Sequence, residues 1–262
     1  MSSLLEVRGL GIRYAARHSG RPAVQAVEGV SFRIARGEVF GLAGESGSGK
    51  SSIARALVGL LTPSAGQVLL DGKDLAAMDA AALGEARRRV QIVFQDPVLS
   101  LSPRRRIVQT LLEPLQLFRP DEAARHPALA LAALAEVGLG SEALQRYPHQ
   151  FSSGQRQRIA IARALLARPD LLVADEAVSA LDVSVQAQVL QLLRRLRDQH
   201  GMALLLISHD LPVLRQLAGT VGIMCAGRLV ESGPIAEVFD TPRHAHTRAL
   251  LAAHRLESGD TP

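Results

Sequence analysis

Residues 44–51 read GESGSGKS, and this stretch decides the fold of the chain. It follows the apolar run at 39–43 and comes just before a segment with helical character. The pattern G-x-x-x-x-G-K-S between a strand and a helix is typical of a loop whose backbone N–H groups wrap around phosphate oxygens. The N-terminus of the following helix adds a favourable positive dipole end. In such a loop Lys50 offers a point charge to the β- and γ-phosphates, and the Ser51 hydroxyl is placed to ligate magnesium.

A second chemical feature is the apolar run at 171–174, which ends in Asp175 and Glu176. Charged side chains are seldom left at the edge of a core without a partner. Asp175 would hold magnesium through water, and Glu176 would polarise an attacking water as general base. Two acids after an apolar strand are also a common strand end. The phosphate loop upstream is what favours the functional interpretation.

Strand-like and helix-like segments alternate along the chain, which predicts an α/β architecture with a largely buried sheet. Between these segments, residues 97–150 are rich in Ala and Leu, punctuated by prolines and without a convincing strand, which predicts a helical insertion. The predicted strands cover residues 39–43, 90–94, 171–174, 203–207 and 221–225. The predicted helices cover 50–60, 155–166, 185–199 and 243–254, with Gly201 ending the third.

Composition and charge argue against several classes of function. The formal net charge is +5, but the arginines are scattered, with no run longer than those at 87–89 and 104–106. This distribution predicts solvated faces or partner contacts, not nucleic-acid binding. The single cysteine, Cys225, excludes an internal disulfide and a zinc site of cysteine type, and it fits a reducing compartment. No apolar run approaches the roughly 18–20 residues of a membrane span, so we expect a soluble or peripheral protein.

Five further features resemble motifs of the ATP-binding-cassette (ABC) ATPases. Residues 151–156 read FSSGQR and resemble their L-S-G-G-Q signature, while 179–182 read SALD and resemble their D-loop. Gln95 resembles their Q-loop glutamine, and His209 resembles their switch histidine. Tyr14 resembles the aromatic residue that stacks on adenine, although an insertion at 15–23 separates it from the phosphate loop. A lone histidine after a strand is more often structural, so the joint order of the motifs carries the resemblance.

The resemblance implies a P-loop NTPase core of RecA-like type, α/β in class, with a helical insertion and an N-terminal β subdomain. Residues 1–262 would form one ABC ATP-binding domain, with the insertion at about 97–155, and ATP and Mg²⁺ as cofactors. The implied catalytic residues are Glu176, His209 and Gln95, and the implied metal ligands are Ser51, Gln95 and Asp175. The implied cofactor-binding residues are Tyr14, Gly44, Glu45, Ser46, Gly47, Ser48, Gly49, Lys50, Ser51, Ser52, Asp175, Ser152, Ser153, Gly154, Gln155 and Asp182.

A finer resemblance is to the ATPases of oligopeptide, dipeptide and nickel importers. It rests on residues 94–104 (FQDPVLSLSPR), 177–186 (AVSALDVSVQ) and 241–251 (TPRHAHTRALL). The chain departs from that pattern at several positions, with Ser102 for Asn, Ala177 for the usual Pro, and Ala245-His246 for Pro-Tyr. Ser153 stands where the signature usually has glycine. Some of these ATPases carry cysteines for an iron–sulfur cluster, which a single cysteine excludes.

The function implied is ATP hydrolysis at a head-to-tail dimer interface that drives solute import, most simply of peptides. The implied partners are a second ATP-binding subunit, transmembrane permease subunits and, indirectly, an extracytoplasmic solute-binding protein, at the cytoplasmic face of the membrane. One alternative is an ABC transporter ATPase for another solute or for export. Another is an ABC ATPase outside transport, and a third is an interaction module with a dead ATP site. The sequence does not name the solute, because in this class other chains select it.

Overall fold

The computed structural model describes residues 3–15, 23–96, 100–179 and 181–257. Over these residues the strands are β1 (Ser3–Tyr14), β2 (Val24–Ala35), β3 (Val39–Gly44), β4 (Ala65–Leu70), β5 (Lys73–Asp74), β6 (Val90–Val93), β7 (Leu171–Asp175), β8 (Ala203–Ser208), β9 (Thr220–Cys225) and β10 (Arg228–Pro234). The α-helices are α1 (Lys50–Leu57), α2 (Ala80–Arg89), α3 (Ile107–Phe118), α4 (His126–Glu136), α5 (Ser153–Leu165), α6 (Val183–His200), α7 (Leu211–Leu217), α8 (Ile235–Asp240) and α9 (Ala245–Glu257).

The predicted strands and helices are confirmed, with boundaries shifted by up to three residues. One shift of three residues is at the end of α1, which stops at Leu57 because Gly59 takes a left-handed conformation two residues later. Gly201 ends α6 as predicted, and it does so in a left-handed conformation with φ of 64°. The chain divides into two compact units, Met1–Leu83 with Ala203–Pro262, and Gly84–Met202.

The first unit contains two groups of paired strands. The antiparallel group has the order β2-β1-β4-β5 and corresponds to the implied N-terminal β subdomain. In the other group β3 lies between β8 and β9 and is parallel to both, while β10 runs antiparallel to β9. Every residue of β3 and β8 is buried, which is why their sequences are continuous apolar runs and do not alternate.

The second unit contains the parallel pair β6 and β7, in register from Val90 opposite Leu171 to Val93 opposite Ala174. Residues 101–170, all of which the structure describes, carry only helices and turns between these strands. The junction of α3 with the next turn is held by buried Arg119, whose guanidinium donates to both carboxylate oxygens of Glu122 at 2.6 and 2.8 Å. His126 contacts the carbonyl of Arg119 at 2.8 Å, so the helices beside this junction are joined through one buried residue.

None of the helices within the described ranges combines the length and the apolar character that crossing a bilayer requires.

The C-terminal helix α9 is joined to β10 by a carboxylate. Glu231 accepts hydrogen bonds from the backbone N–H groups of Arg243 at 2.8 Å and His244 at 3.0 Å, just before α9 begins. Partial burial opposes ionisation, but the neighbouring Thr247 hydroxyl, these two N–H donors and the coulombic effect of His244 outweigh it and lower the pKa of Glu231. A carboxylate at a helix N-terminus also interacts favourably with the helix dipole.

We expect Glu231→Gln to lower the melting temperature at neutral pH, because the amide loses the charge and one acceptor. The folded-state pKa lies below the unfolded value of about 4.3, so the stabilisation is complete above about pH 4.3 and is lost as the pH falls through the lower pKa. The difference in melting temperature between wild type and variant should therefore be largest at pH 7 and shrink below about pH 4. Glu237→Gln, at an exposed position on α8, is the control and should show no such difference.

Candidate functional site

The loop at 44–49 leaves β3 and enters α1 through three glycines with positive φ. These angles are 147° at Gly44, 80° at Gly47 and 103° at Gly49. A Cβ atom at Gly49 would overlap the carbonyl oxygen of Ala26, and one at Gly44 would overlap the carbonyl oxygen of Met224. Glycine is therefore required at 44 and 49 both by conformation and by the close approach of neighbouring backbone.

Lys50 is the buried cation of the loop. Its side chain is only 4% exposed, and Nζ donates to the carbonyl oxygens of Gly44 at 2.7 Å and Glu45 at 2.8 Å. Ser48, also buried, has its Oγ 3.4 Å from Nζ. A buried ammonium in a glycine cradle at a helix N-terminus fits an anionic phosphate group, as the sequence pattern predicts.

A β-turn from the other end of the chain supports the loop. The N–H of Gly227 donates to the carbonyl of Ser48 at 3.1 Å, and the carbonyl of Gly227 accepts from the N–H of Glu28 at 2.8 Å. Arg228 forms an ion pair with the Glu28 side chain at 2.6 Å. The sequence did not indicate that Gly227, Glu28 and Arg228 support the loop. The Ala226-Gly227 turn was visible as a break between apolar runs, but its pairing with the loop was not.

Tyr14 lies at the end of β1 and its hydroxyl is 3.0 Å from the Oγ of Ser52, in the first turn of α1. The side chain is 36% exposed. This contact places the predicted adenine-stacking residue beside the phosphate loop. Residues 16–22, most of the predicted insertion, lie outside the described residues.

His209 follows β8 at the same edge from which the phosphate loop leaves β3. The register pairs Ala43 with Ser208, so His209 and Gly44 emerge from adjacent parallel strands. The His209 side chain is exposed, and its carbonyl oxygen is 2.8 Å from Nε2 of His254 on α9. The carboxyl ends of parallel strands are where ligands bind in open α/β sheets.

In the second unit, the predicted carboxylates and the Q-loop glutamine emerge from adjacent strands. Asp175 ends β7 and is buried, with 5% exposure. Gln95 donates from Nε2 to the Oγ of Ser179 at 3.3 Å, and Ser179 Oγ donates to the carbonyl of Glu176 at 3.0 Å. The structure thus brings Gln95, Glu176 and Ser179 together.

Glu176 has φ of +50°, a left-handed conformation that is unusual for a residue with a side chain. Such strain costs on the order of 1–3 kcal/mol and is concentrated at functional sites. The backbone carbonyl of Glu176 accepts from both the N–H and the hydroxyl of Ser179, which holds the turn in place. The turn that carries the predicted general base is thus held in a defined conformation by Ser179.

The signature residues form the N-terminus of α5. Ser152 is the N-cap, with its Oγ accepting from the N–H of Gln155 at 3.3 Å, while Gln155 Oε1 accepts from the N–H of Ser152 at 3.1 Å. This reciprocal capping box satisfies two helix-end donors. Ser153 is exposed, whereas a Cβ atom at Gly154 would overlap Cγ1 of Val185 on α6. The two positions therefore differ: 153 has room for a side chain and 154 does not.

Asp182 forms the N-cap of α6, accepting from the N–H of Val185 at 2.9 Å and from the Ser184 hydroxyl at 2.7 Å. The hydrogen bond from Val185 and then that from Ser184 lower the pKa of Asp182. The predicted D-loop aspartate thus has a helix-capping role. Ala180 of the same motif lies outside the described residues.

The predicted site residues divide between the two units. Tyr14, the phosphate loop and His209 lie in the first, and Gln95, the signature, the two acids and Asp182 lie in the second. In the described ranges, no group of three or more His, Cys, Asp and Glu residues could hold a metal ion.

Comparison with known proteins identifies relatives over nearly the whole chain. The family model described as ABC transporter matches residues 27–179. The dipeptide transport ATP-binding protein DppF of Escherichia coli is 46% identical, over 88% of this chain and 69% of that protein. The oligopeptide transport ATP-binding protein OppF of Haemophilus influenzae is 42% identical, over 95% of this chain and 77% of that protein.

Solved structures of cassettes share the fold. A dimeric cassette, MJ0796, in a post-hydrolysis state bound to ADP and phosphate, superimposes with a TM-score of 0.77 at 27% identity, over 88% of this chain and 98% of its own. The protein cbiO1 from Clostridium perfringens, part of an ABC transporter complex, gives a TM-score of 0.77 at 26% identity, over 98% of this chain and 96% of its own. These similarities confirm the fold class predicted from the sequence.

We expect Gly154→Ala to destabilise the protein by about 1–3 kcal/mol, because the added methyl group meets a β-branched side chain that cannot turn aside. Urea unfolding of wild type and variant would measure the loss. Ser153→Ala, at the exposed neighbouring position, is the control and should change the free energy of unfolding by less than about 0.5 kcal/mol. Adding Val185→Ala should restore part of the loss in Gly154→Ala. An unchanged free energy of unfolding in Gly154→Ala would contradict the close packing of α5 on α6.

Proposed function

The chain belongs to the ABC transporter family, and we propose that it is the ATP-hydrolysing subunit of a peptide importer. ATP binding and hydrolysis are the activity of that family. The main structural support for the proposal is the Lys50 ammonium, which is buried in a glycine loop. The chain that contains this loop is 42–46% identical to oligopeptide and dipeptide transport proteins. Peptide import is favoured over another solute because those relatives match 88–95% of this chain.

The proposed chemistry assigns one role to each polar residue. Lys50 and the loop N–H groups bind the β- and γ-phosphates. Mg²⁺, when bound, neutralises phosphate charge, and we assign Ser51, Asp175 and Gln95 as the residues that hold it. Glu176 accepts a proton from the attacking water.

Tyr14, Ser52 and the other loop residues bind the remainder of the nucleotide. His209 contributes to hydrolysis from the edge where the phosphate loop begins.

The proposed assembly is a head-to-tail pair of ATP-binding subunits, a mode of pairing supported by the dimeric form of the structurally similar cassette. Residues 152–155 of one subunit would approach the phosphate bound by the other, with the N-terminus of α5 supplying favourable N–H groups. Ser153 adds a hydroxyl there, and Asp182 lies in the same unit.

We further propose transmembrane permease partners, a solute-binding protein acting through them, a location at the cytoplasmic face of the membrane, and no nucleic-acid partner.

Lys50→Ala should abolish nucleotide binding, because the phosphate-facing charge and its hydrogen bonds are lost together. Calorimetric titration with ATP and Mg²⁺ measures this directly. In cells that express the chain with its permease partners, the same variant should abolish uptake of radiolabelled peptides.

Lys73→Ala is a matched control, since Lys73 is the other lysine of the chain and lies exposed on β5. It should keep both nucleotide affinity and uptake. Unchanged ATP affinity in Lys50→Ala would overturn the phosphate-loop assignment. ATP binding without peptide uptake by the wild-type assembly would overturn the proposed solute and leave the ATPase intact.

Glu176→Gln should keep ATP binding and slow hydrolysis by about 10²–10⁴-fold, because an amide cannot accept the proton of the attacking water. The variant should then accumulate as an ATP-bound dimer, detected by size-exclusion chromatography with ATP present. Glu142→Gln makes the same chemical change at an exposed position and should hydrolyse ATP at the wild-type rate. Near-normal turnover in Glu176→Gln would place the general base elsewhere.

A further inference from the structure

The C-terminal helix reaches the loop that carries His209. Nε2 of His254 lies 2.8 Å from the backbone carbonyl oxygen of His209, a residue 45 positions earlier in the chain. A carbonyl oxygen only accepts hydrogen bonds, so Nε2 of His254 carries the proton and donates it. None of the predicted motifs included His254.

The position of His254 is fixed from the other end of the same helix. Glu231 on β10 binds the two N–H groups that precede α9, at 2.8 and 3.0 Å. Arg248 donates from Nη1 to the carbonyl of Arg243 at 2.7 Å and to that of Pro242 at 3.3 Å, and Thr247 is fully buried. Nine residues of helix separate Ala245 from His254, a rise of about 13.5 Å. The helix therefore holds its donor at a set distance from β10.

Asp210, the next residue, makes two further hydrogen bonds in this loop. Ser208 Oγ accepts from the N–H of Asp210 at 3.0 Å, and Asp210 caps α7 by accepting from Val213 at 3.4 Å. The hydrogen bond from His254 fixes the carbonyl of His209 and hence the peptide plane between 209 and 210. The direction of the exposed His209 side chain depends on that plane.

We propose that His254 is a positioning residue for His209, through which the C-terminal helix sets the rate of ATP hydrolysis. This inference rests on the proposed function, in which His209 contributes to hydrolysis. Restricting the orientation of a catalytic group lowers the entropic part of the barrier. A structural role alone would instead show itself in the stability of the protein and leave the turnover of the folded protein unchanged.

The test compares kcat and KM for ATP, and the melting temperature, in the purified full-length chain. His254→Phe keeps the ring and removes the donor, and His254→Gln returns an N–H donor of similar reach. Ala253→Gln places the same side chain at an exposed neighbouring position of α9 and serves as the control. Each substitution is also made in the His209→Ala background.

We expect His254→Phe to lower kcat by about 2- to 10-fold, the effect of one hydrogen bond, with KM for ATP little changed. His254→Gln should recover most of the rate, and Ala253→Gln should match the wild type. In the His209→Ala background, His254→Phe should have no further effect, because the residue it positions is gone.

Two outcomes would overturn the inference alone. One is an unchanged kcat in His254→Phe while His209→Ala slows hydrolysis. The other is an equal loss of kcat with and without the His209 side chain. Absence of Lys50-dependent hydrolysis in the wild-type protein would instead overturn the proposed function, and the inference with it.

Discussion

Burial of the Lys50 ammonium inside a loop of its own backbone is the constraint on which the rest of the site depends. A charge with 4% exposure must be surrounded by acceptors, and the loop supplies two carbonyl oxygens within 2.8 Å. To turn those carbonyls inward the chain needs glycines at 44 and 49, and these in turn let Met224 and Ala26 approach where no side chain fits. The backbones of β2 and β9 thus lie close against the loop, and Gly227 joins the loop to β2 by hydrogen bonds on both sides.

In the second unit the candidate functional residues also hold secondary structure in place. Ser152 and Asp182 begin α5 and α6, and the helices meet where Gly154 faces Val185. Capping residues at helix N-termini leave the remaining N–H groups directed along the axis, where an anion is stabilised. Because capping and candidate binding involve the same side chains, a substitution at 152 or 182 would change stability and activity together. The effects of Ser153→Ala and Gly154→Ala separate these two properties better.

The sequence predicted those features of the structure that depend on residues close together in the chain, and it did not predict those that depend on distant residues. The strand–glycine loop–helix arrangement at 39–57, the buried strands and the helix end at Gly201 follow from spacing within a few residues, and the structure confirms them. The strands β1 and β2 were not located individually. In β1 the register shifts break the alternation of buried and exposed residues. Residues 30–35 of β2 do alternate, and that pattern was overlooked. The support of the loop by Gly227 and the contact of His254 with His209 depend on strand register and helix docking. They join residues far apart in the chain, so no spacing rule could find them.

The contrast between Lys50 and the other cations of the chain has a practical consequence. Nearly all of the 30 basic residues are arginines, and of the two lysines one is buried in the loop while Lys73 is exposed on β5. A planar guanidinium with five donors does not fit a site built for a compact ammonium, which explains why lysine occupies position 50 in a chain so rich in arginine. Because Lys50 is buried and Lys73 is exposed, amine-reactive dyes distinguish the two side chains. Acylation will proceed readily at Lys73. The rate of the much slower modification of Lys50 will measure how often the loop opens and exposes this side chain.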